Sequence, residues 1–310
     1  MLDGVTMRFK KFSLSQWFII LACLLLNACG GSSSDTVEEV VQQKSFITLK
    51  ITDAPIDTAT EVVVEFTGVE LKPASGAPLN FDFDEAKTID LLALQGNDSE
   101  VLLENIEVES GSYQWARLKV NAQINTMDSY ISFENGNSFS LYVPSGNQSG
   151  LKLNDSFTVL AGQTTSFTID FDLRKSVINP KGLVNDYILK PRLRIIDNAE
   201  ISTITGTVSD ELMNQASCAE GASIYVFSGH DMTPDDEGSS TPPLTSSFVN
   251  LNSESGIYEF VVAYLSPGNY TLSLTCDADL DAPEVDDDIT FLASVNVSTD
   301  ANQTAEVMIN

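Results

Sequence analysis

The sequence predicts an all-β protein: two antiparallel β-sandwiches, immunoglobulin-like or prealbumin-like, in tandem behind an N-terminal export signal. Three observations lead there. Apolar residues recur at every second position over most of the chain, as in Phe167, Ile169, Phe171 and Leu173, which is the pattern of a strand with one buried face. Turn clusters such as Asn135-Gly136-Asn137 and Pro144-Ser145-Gly146-Asn147 punctuate the chain, and many short strands at that spacing belong to sandwiches rather than to βαβ units. A helical period is hinted at only around residues 90–94.

Taken in order, the chain opens with Arg8, Lys10 and Lys11 before an apolar run over residues 12–26. About fifteen residues is short of the roughly 20 that span a bilayer, so the run reads as the apolar region of a cleaved signal. It ends in Leu26-Asn27-Ala28-Cys29, which resembles the lipobox of bacterial lipoproteins. That resemblance implies a lipoprotein signal peptide over residues 1–28 and a mature chain starting at Cys29, acylated with palmitate-like chains. One acyl chain holds a protein marginally and two or more hold it firmly. In such lipoproteins an aspartate after the cysteine marks inner-membrane retention; Gly30 stands here, which implies the outer membrane of a Gram-negative envelope. The competing reading is ordinary secretory cleavage with Cys29 incidental, and Met7 competes with Met1 as the start. Residues 29–44 begin with a glycine-serine stretch that reads as a flexible tether.

Strands are expected at residues 47–51, 61–71, 116–124, 138–143, 157–160, 166–174 and 188–196, giving a first sandwich over residues 45–199. A second, over residues 200–310, has strands at 201–208, 222–227, 256–264, 269–276 and 289–297 and a last one ending at Asn310. In the strand at 166–174, Thr168, Asp170, Asp172 and Arg174 are expected on the outer face. Tyr113, Trp115, Arg117 and Lys119 are expected opposite the apolar face of theirs.

The mature chain holds 13 Lys and Arg against 43 Asp and Glu, a net charge of about −30. Such a chain is repelled by nucleic acid and anionic lipid. With Cys23 in the signal and Cys29 acylated, Cys218 and Cys276 remain in an oxidising compartment and are expected to form a disulfide; the alternative metal or redox pair lacks the short spacing such sites use. The sole histidine, His230, excludes HExxH and three-histidine metal sites. There is no P-loop, GxGxxG, CxxC or G-x-S-x-G motif. Chemistry by carboxylates alone stays open, because 43 acids always offer pairs.

Read together, the segments Ile51-Thr52-Asp53-Ala54-Pro55, Thr67-Gly68-Val69-Glu70-Leu71, Ile89-Asp90-Leu91-Leu92-Ala93-Leu94, Gly111-Ser112-Tyr113, Val143-Pro144-Ser145-Gly146, Asp170-Phe171-Asp172-Leu173-Arg174-Lys175-Ser176 and Leu189-Lys190-Pro191-Arg192-Leu193-Arg194 resemble the bacterial domain of unknown function 4382. The resemblance covers about residues 45–198. It implies a secreted or lipid-anchored β-sandwich with no established activity. The second unit, with Gly256-x-Tyr258 and Leu265-Ser266-Pro267-Gly268-Asn269-Tyr270, is similar to prealbumin-like, carboxypeptidase-regulatory-like sandwiches. Neither resemblance carries a catalytic residue.

Three groups are candidates for function. Asp277, Asp279 and Asp281, with Asp286 and Asp288, alternate along an acidic segment and are a candidate Ca²⁺ site, since calcium takes six to eight oxygens. Asp235, Asp236 and Glu237 would add ligands if their loop lies at the same end. Against this, Ala282 and Pro283 replace the turning glycine of an EF-hand, and a solvated acidic loop is the plainer reading. Arg174, Lys175, Lys190, Arg192 and Arg194 form a candidate binding patch for a carboxylated glycan or a partner protein; the plainer reading is surface pairing with Asp170 and Asp172 across neighbouring strands. Trp115, the only mature tryptophan, joins that list as a stacking platform, against partial burial under a neighbour.

The expected function is therefore a non-catalytic binding or structural module, lipid-anchored in the cell envelope, with a protein or polysaccharide ligand, calcium as possible aid and no nucleic-acid partner. Two other classes compete. A glycan hydrolase working through carboxylates needs a cleft with two acids about 5–10 Å apart, one with a raised pKa. A structural spacer needs no ligand at all.

Overall fold

The computed structural model describes residues 44–56, 59–144, 150–180 and 186–310; the signal, Cys29 and the tether lie outside them. Among the described residues thirteen strands precede Asn198: β1 (Ser45–Ala54), β2 (Glu61–Pro73), β3 (Leu79–Asp90), β4 (Glu100–Val108), β5 (Gly111–Asn121), β6 (Tyr130–Ser132), β7 (Ser138–Tyr142), β8 (Leu151–Leu153), β9 (Phe157–Val159), β10 (Thr164–Asp172), β11 (Val177–Ile178), β12 (Asp186–Leu189) and β13 (Leu193–Asp197). Eight follow: β14 (Ser202–Val208), β15 (Ser223–Ser228), β16 (Thr245–Phe248), β17 (Asn250–Leu251), β18 (Tyr258–Leu265), β19 (Gly268–Thr275), β20 (Phe291–Thr299) and β21 (Thr304–Ile309). Among the described residues no helix is long and apolar enough to cross a membrane.

The first set forms a four-stranded sheet, β13-β10-β1-β4, facing a larger sheet whose spine is β11-β12-β7-β6-β2-β5-β8, with β3 beside β2 and β9 beside β5. Alternation drives this closure: Ile47, Leu49 and Ile51 of β1 meet Val62, Val64 and Phe66 of β2 in one core, all fully buried. Each such side chain contributes about 1.5–3 kcal/mol relative to exposure. The second set makes two four-stranded sheets, β17-β18-β14-β21 and β16-β15-β19-β20, around a separate core that includes Ile204, Ile224, Leu272 and Leu274. Pairing is mostly antiparallel, but β1 runs parallel to β10, β14 to β21 and β12 to β7.

Both sandwiches use the same corner. Tyr113, in Gly111-Ser112-Tyr113, donates its hydroxyl to the Glu109 carbonyl at 2.8 Å, and Tyr270, in Gly268-Asn269-Tyr270, donates to the Ser266 carbonyl. Each tyrosine thus ties the start of its strand back to the turn before it, as in a tyrosine corner. Tyr113 is consequently buried, not outward as alternation suggested. The register between β5 and β2 slips between Lys72 and Pro73, placing one extra β5 residue there; the bulge turns Tyr113 inward while Trp115 stays on the outer face. Gly68 marks another close approach, because a Cβ there would lie 2.5 Å from the Phe81 carbonyl oxygen of β3.

Several expected strands divide or shorten. The segment 188–196 is two strands, since Pro191 lacks the N–H a continuous ladder needs and Lys190, Pro191 and Arg192 lie outside both. The strand at 166–174 ends at Asp172, whose carboxylate caps a single helical turn, Leu173–Ser176, by accepting from Lys175 N. The hint at 90–94 becomes a 3₁₀ turn, Leu91–Ala93, capped by Asp90.

Candidate functional site

The expected outer face of β10 is not a surface. Asp170, Asp172 and Arg174 are 4%, 7% and 2% exposed, because the second sandwich packs over them. Residues 201–310 contain no Lys or Arg and 18 Asp and Glu, so every cation at this junction comes from the first sandwich.

Arg174 is the central one. Its guanidinium donates to the Ala278 carbonyl at 2.9 Å and to the hydroxyls of Ser246 and Ser223, each at 3.3 Å. It also lies 5.2 Å from the Tyr225 ring centroid, a cation–π distance. Arg174 reaches across the junction from the capped helical turn that ends β10. Lys175 Nζ sits 2.9 Å from Asp172 Oδ2 and 3.0 Å from Glu237 Oε2, and donates to the Pro243 carbonyl. Arg194 pairs with Asp170, directly opposite in the β10–β13 ladder, at 2.6 Å, and reaches the Tyr264 carbonyl at 3.0 Å. Lys190 pairs with Glu284. In return, Tyr264 donates to the Asn97 carbonyl at 2.9 Å.

The cationic patch is thus corrected: Arg174, Lys175, Lys190 and Arg194 bind the molecule's own second half, and only Arg192 is exposed. Trp115 belongs elsewhere, half-buried on β5 between Arg117 and Lys152 at 4.9 and 4.7 Å.

Burial shifts the acids at this junction. Burial first, and then neighbouring Asp172, push the Glu237 carboxyl from 4.5 up to about 8, with Lys175 and Arg174 opposing. Burial, then Asp170 and Asp172, raise Asp53 well above the ordinary aspartate range. Burial lowers Lys175, but Asp172 and Glu237 outweigh it and the net shift is upward. Lys175 thus sits between two acids, and the more deeply buried of them, Glu237, holds its proton to a higher pH than an ordinary glutamate. A carboxyl raised from 4.5 to about 8 binds a proton in the folded chain that the unfolded chain has already released between those values. Stability then falls as pH rises through that window. Melting temperatures from pH 5 to 8.5 should fall with pH, and Glu237→Gln should remove the share of that slope that Glu237 carries, leaving that of the other raised acids, Asp53 and Asp281.

Beside this junction runs an open groove. One cavity of about 560 Å³ is lined by Ile131, Phe133 and Tyr187 from the first sandwich and by Asp279, Asp281 and Pro283 from the second. It adjoins another of about 440 Å³ through shared Phe133, Ala278 and Asp279, where Glu134 and Glu220 are added. Phe133, Phe139 and Tyr187 form a ring cluster with centroids 5.4–5.9 Å apart, so one wall is aromatic and the other acidic. Such walls stack flat apolar faces and accept hydrogen bonds from hydroxyls or amines. Asp281, raised by burial, has its oxygens engaged by the Tyr225 hydroxyl at 2.7 Å and by Glu237 N.

The acidic segment is also rearranged. Turns at Asp277–Leu280 and Ala282–Val285 send the alternate aspartates different ways. Asp277 accepts from Thr290 N at 3.1 Å, Asp279 lines the groove, and Asp288 is exposed and joins no carboxylate group among the described residues. The groups that do converge are Asp236, Asp281 and Asp287, and Asp235, Asp236 and Asp286. The 230–243 loop does reach the same end: Gly238 lies so close to Val285 that a Cβ would stand 1.8 Å from its carbonyl oxygen. Cys218 and Cys276, joined by a disulfide with Cα atoms 4.8 Å apart, hold the start of this segment. His230 is exposed, its Nε2 3.2 Å from the Val297 carbonyl.

Sequence reading missed Phe133, Tyr187 and Asp287. The aromatics sit on short strands or strand ends, and Asp287 falls outside the alternation in Asp286-Asp287-Asp288.

The architecture defines an all-β protein of tandem sandwiches with a groove at their junction. Residues 44–191 match the family described as a domain of unknown function, DUF4382. No curated protein matches the chain. Among solved structures, the streptococcal ancillary pilin is similar at 11% identity, over 85% of this chain and 68% of that one, with a TM-score of 0.22. A putative adhesin from Bacteroides ovatus is similar at 9% identity, over 86% and 87%, with a TM-score of 0.21. Putative polysaccharide binding proteins (DUF1812) from Bacteroides thetaiotaomicron are similar at 12% identity, over 74% and 76%, with a TM-score of 0.17. Scores this low identify neither ligand nor partner.

Proposed function

We propose that the protein is a non-catalytic binding module of the cell envelope, lipid-anchored through Cys29 in the outer membrane, which holds an uncharged or amine-bearing polysaccharide in the groove between its sandwiches. The observation that carries this is the groove's pairing of an aromatic wall, Phe133 and Tyr187, with an acidic one, Asp279 and, in the adjoining cavity, Glu134 and Glu220. A net charge of −28 over the whole sequence opposes polyanionic glycans, and the cations that would have welcomed them are consumed inside the junction. A hydrolase would need a carboxyl of raised pKa free to deliver a proton into the groove, whereas the lining acid that burial raises, Asp281, is engaged by Tyr225 and Glu237 N.

The test is titration of the full mature chain, made soluble by Cys29→Ser, with chitosan oligomers, neutral β-glucan oligosaccharides and alginate. Binding of the first or second class that weakens at least tenfold in Phe133→Ala and Tyr187→Ala is expected. No binding of either class, or binding indifferent to both substitutions, would overturn the reading. For the anchor, radiolabelled fatty acid should enter the wild-type chain and not Cys29→Ser, which should leave the membrane fraction.

A further inference from the structure

We propose a divalent-cation site, suited to calcium, formed by Asp236, Asp281 and Asp287, which clamps the 230–243 loop to the acidic segment beside the junction. Each residue contributes an oxygen within 4.8 Å of those of the other two. Three oxygens no more than 4.8 Å apart leave an ion between them at most about 2.8 Å from each, so a small inward shift brings all three to the roughly 2.4 Å of calcium–oxygen ligation. A convergence of acids is common on so acidic a surface, and the decisive observation is a different one. Asp236 is 0% exposed, and its Oδ1 has no hydrogen-bond partner.

An orphaned, fully buried carboxylate oxygen is costly unless something charged meets it. The other oxygen, Oδ2, is fixed by Gly238 N at 3.0 Å and Asp287 N at 2.8 Å, so the carboxylate cannot rotate to find water. Asp287 is held in the same way, its Oδ2 accepting from Ala282 N at 2.8 Å, and Asp281 is held by Tyr225 and Glu237 N. Three carboxylates oriented by backbone N–H groups, each with lone pairs left over, form a hard-oxygen ligand set already in place. Such a set lowers the ordering cost of binding. The remaining coordination would come from water and backbone oxygens.

The site has a structural consequence because Glu237, next to Asp236, contacts Lys175 of the first sandwich. A cation that fixes Asp236 also fixes the loop that closes the junction. Calcium therefore stiffens the second sandwich and the contact between the two, and the groove with it. This inference stands independently of what the groove binds.

The experiment uses the full mature chain with Cys29→Ser. Millimolar calcium, against chelator, should raise the melting temperature by several degrees. Terbium should bind competitively with calcium and luminesce on excitation near 280 nm through Tyr225, whose hydroxyl touches Asp281. Asp236→Asn, isosteric and neutral, should keep the fold in chelator and lose both responses, and Asp287→Asn should weaken calcium binding at least tenfold. Asp277→Asn, which changes a carboxylate outside the site, should leave both responses intact. A chain without calcium-dependent stability, or a response that survives Asp236→Asn and Asp287→Asn, would overturn the proposal. A response lost in Asp277→Asn but kept in Asp236→Asn would place the ion on the linear acidic segment instead.

Discussion

Arg174→Ala is expected to cost about 3–5 kcal/mol and to split a single unfolding transition into two. Its side chain, 2% exposed, is bound across the junction to Ala278, Ser246 and Ser223. Removing it takes a shared buried donor from those polar groups and removes a positive charge that opposes the raised pKa values of Glu237 and Asp281. The cost is that of orphaned buried groups, larger than the worth of a surface pair. Arg174→Lys should not restore stability: an ammonium cannot reach three acceptors on one plane while facing the Tyr225 ring. Calorimetry of the two variants checks this. One transition within about 1 kcal/mol of wild type would mean that the junction does not depend on Arg174.

Loss of the Cys218–Cys276 bridge should lower stability by about 4 kcal/mol in the chain-entropy account for a separation of 58 residues. The bridge fastens the 3₁₀ turn Ala216–Cys218 to the end of β19, within the second core, while no cysteine lies in the first sandwich. In Cys218→Ser/Cys276→Ser, or after reduction, the melting of the second sandwich should fall by more than about 10 °C. A chain whose melting is unchanged by reductant would refute the role assigned to the bridge.

Alternation made the long two-faced strands legible, and it failed where physics outside one strand decides. In β4 the buried Leu102 and Leu103 are consecutive, because the β1–β4 register is irregular there, and a bulge erases the period of two. Asn105 is forced to a φ of 50° in the same stretch. Arg174 and Asp172 were legible as charged and periodic but not as buried. A period of two reports which residues share a face; it does not report whether a second sandwich will cover that face. The acidic segment misled in the other direction. Spacing along the chain grouped Asp277, Asp279 and Asp281, while the fold groups Asp281 with Asp236 and Asp287, from a loop about 45 residues earlier and from a position the alternation skipped. The glycines of Thr67-Gly68-Val69 and of residue 238 carried a clue, since each marks a backbone that another backbone must approach closely.

The uneven division of charge has one more consequence. With no Lys or Arg after residue 194 and 18 acids after residue 200, the molecule has a positive-bearing half and a uniformly negative half. The buried contacts of Arg174, Lys175 and Arg194 hold these halves in a fixed relation, so the asymmetry is a permanent electric dipole moment of the folded chain. Ions screen it beyond about 8 Å at physiological strength. Within that range the protein has a preferred heading as it nears any charged surface, and crowded copies repel one another end against like end.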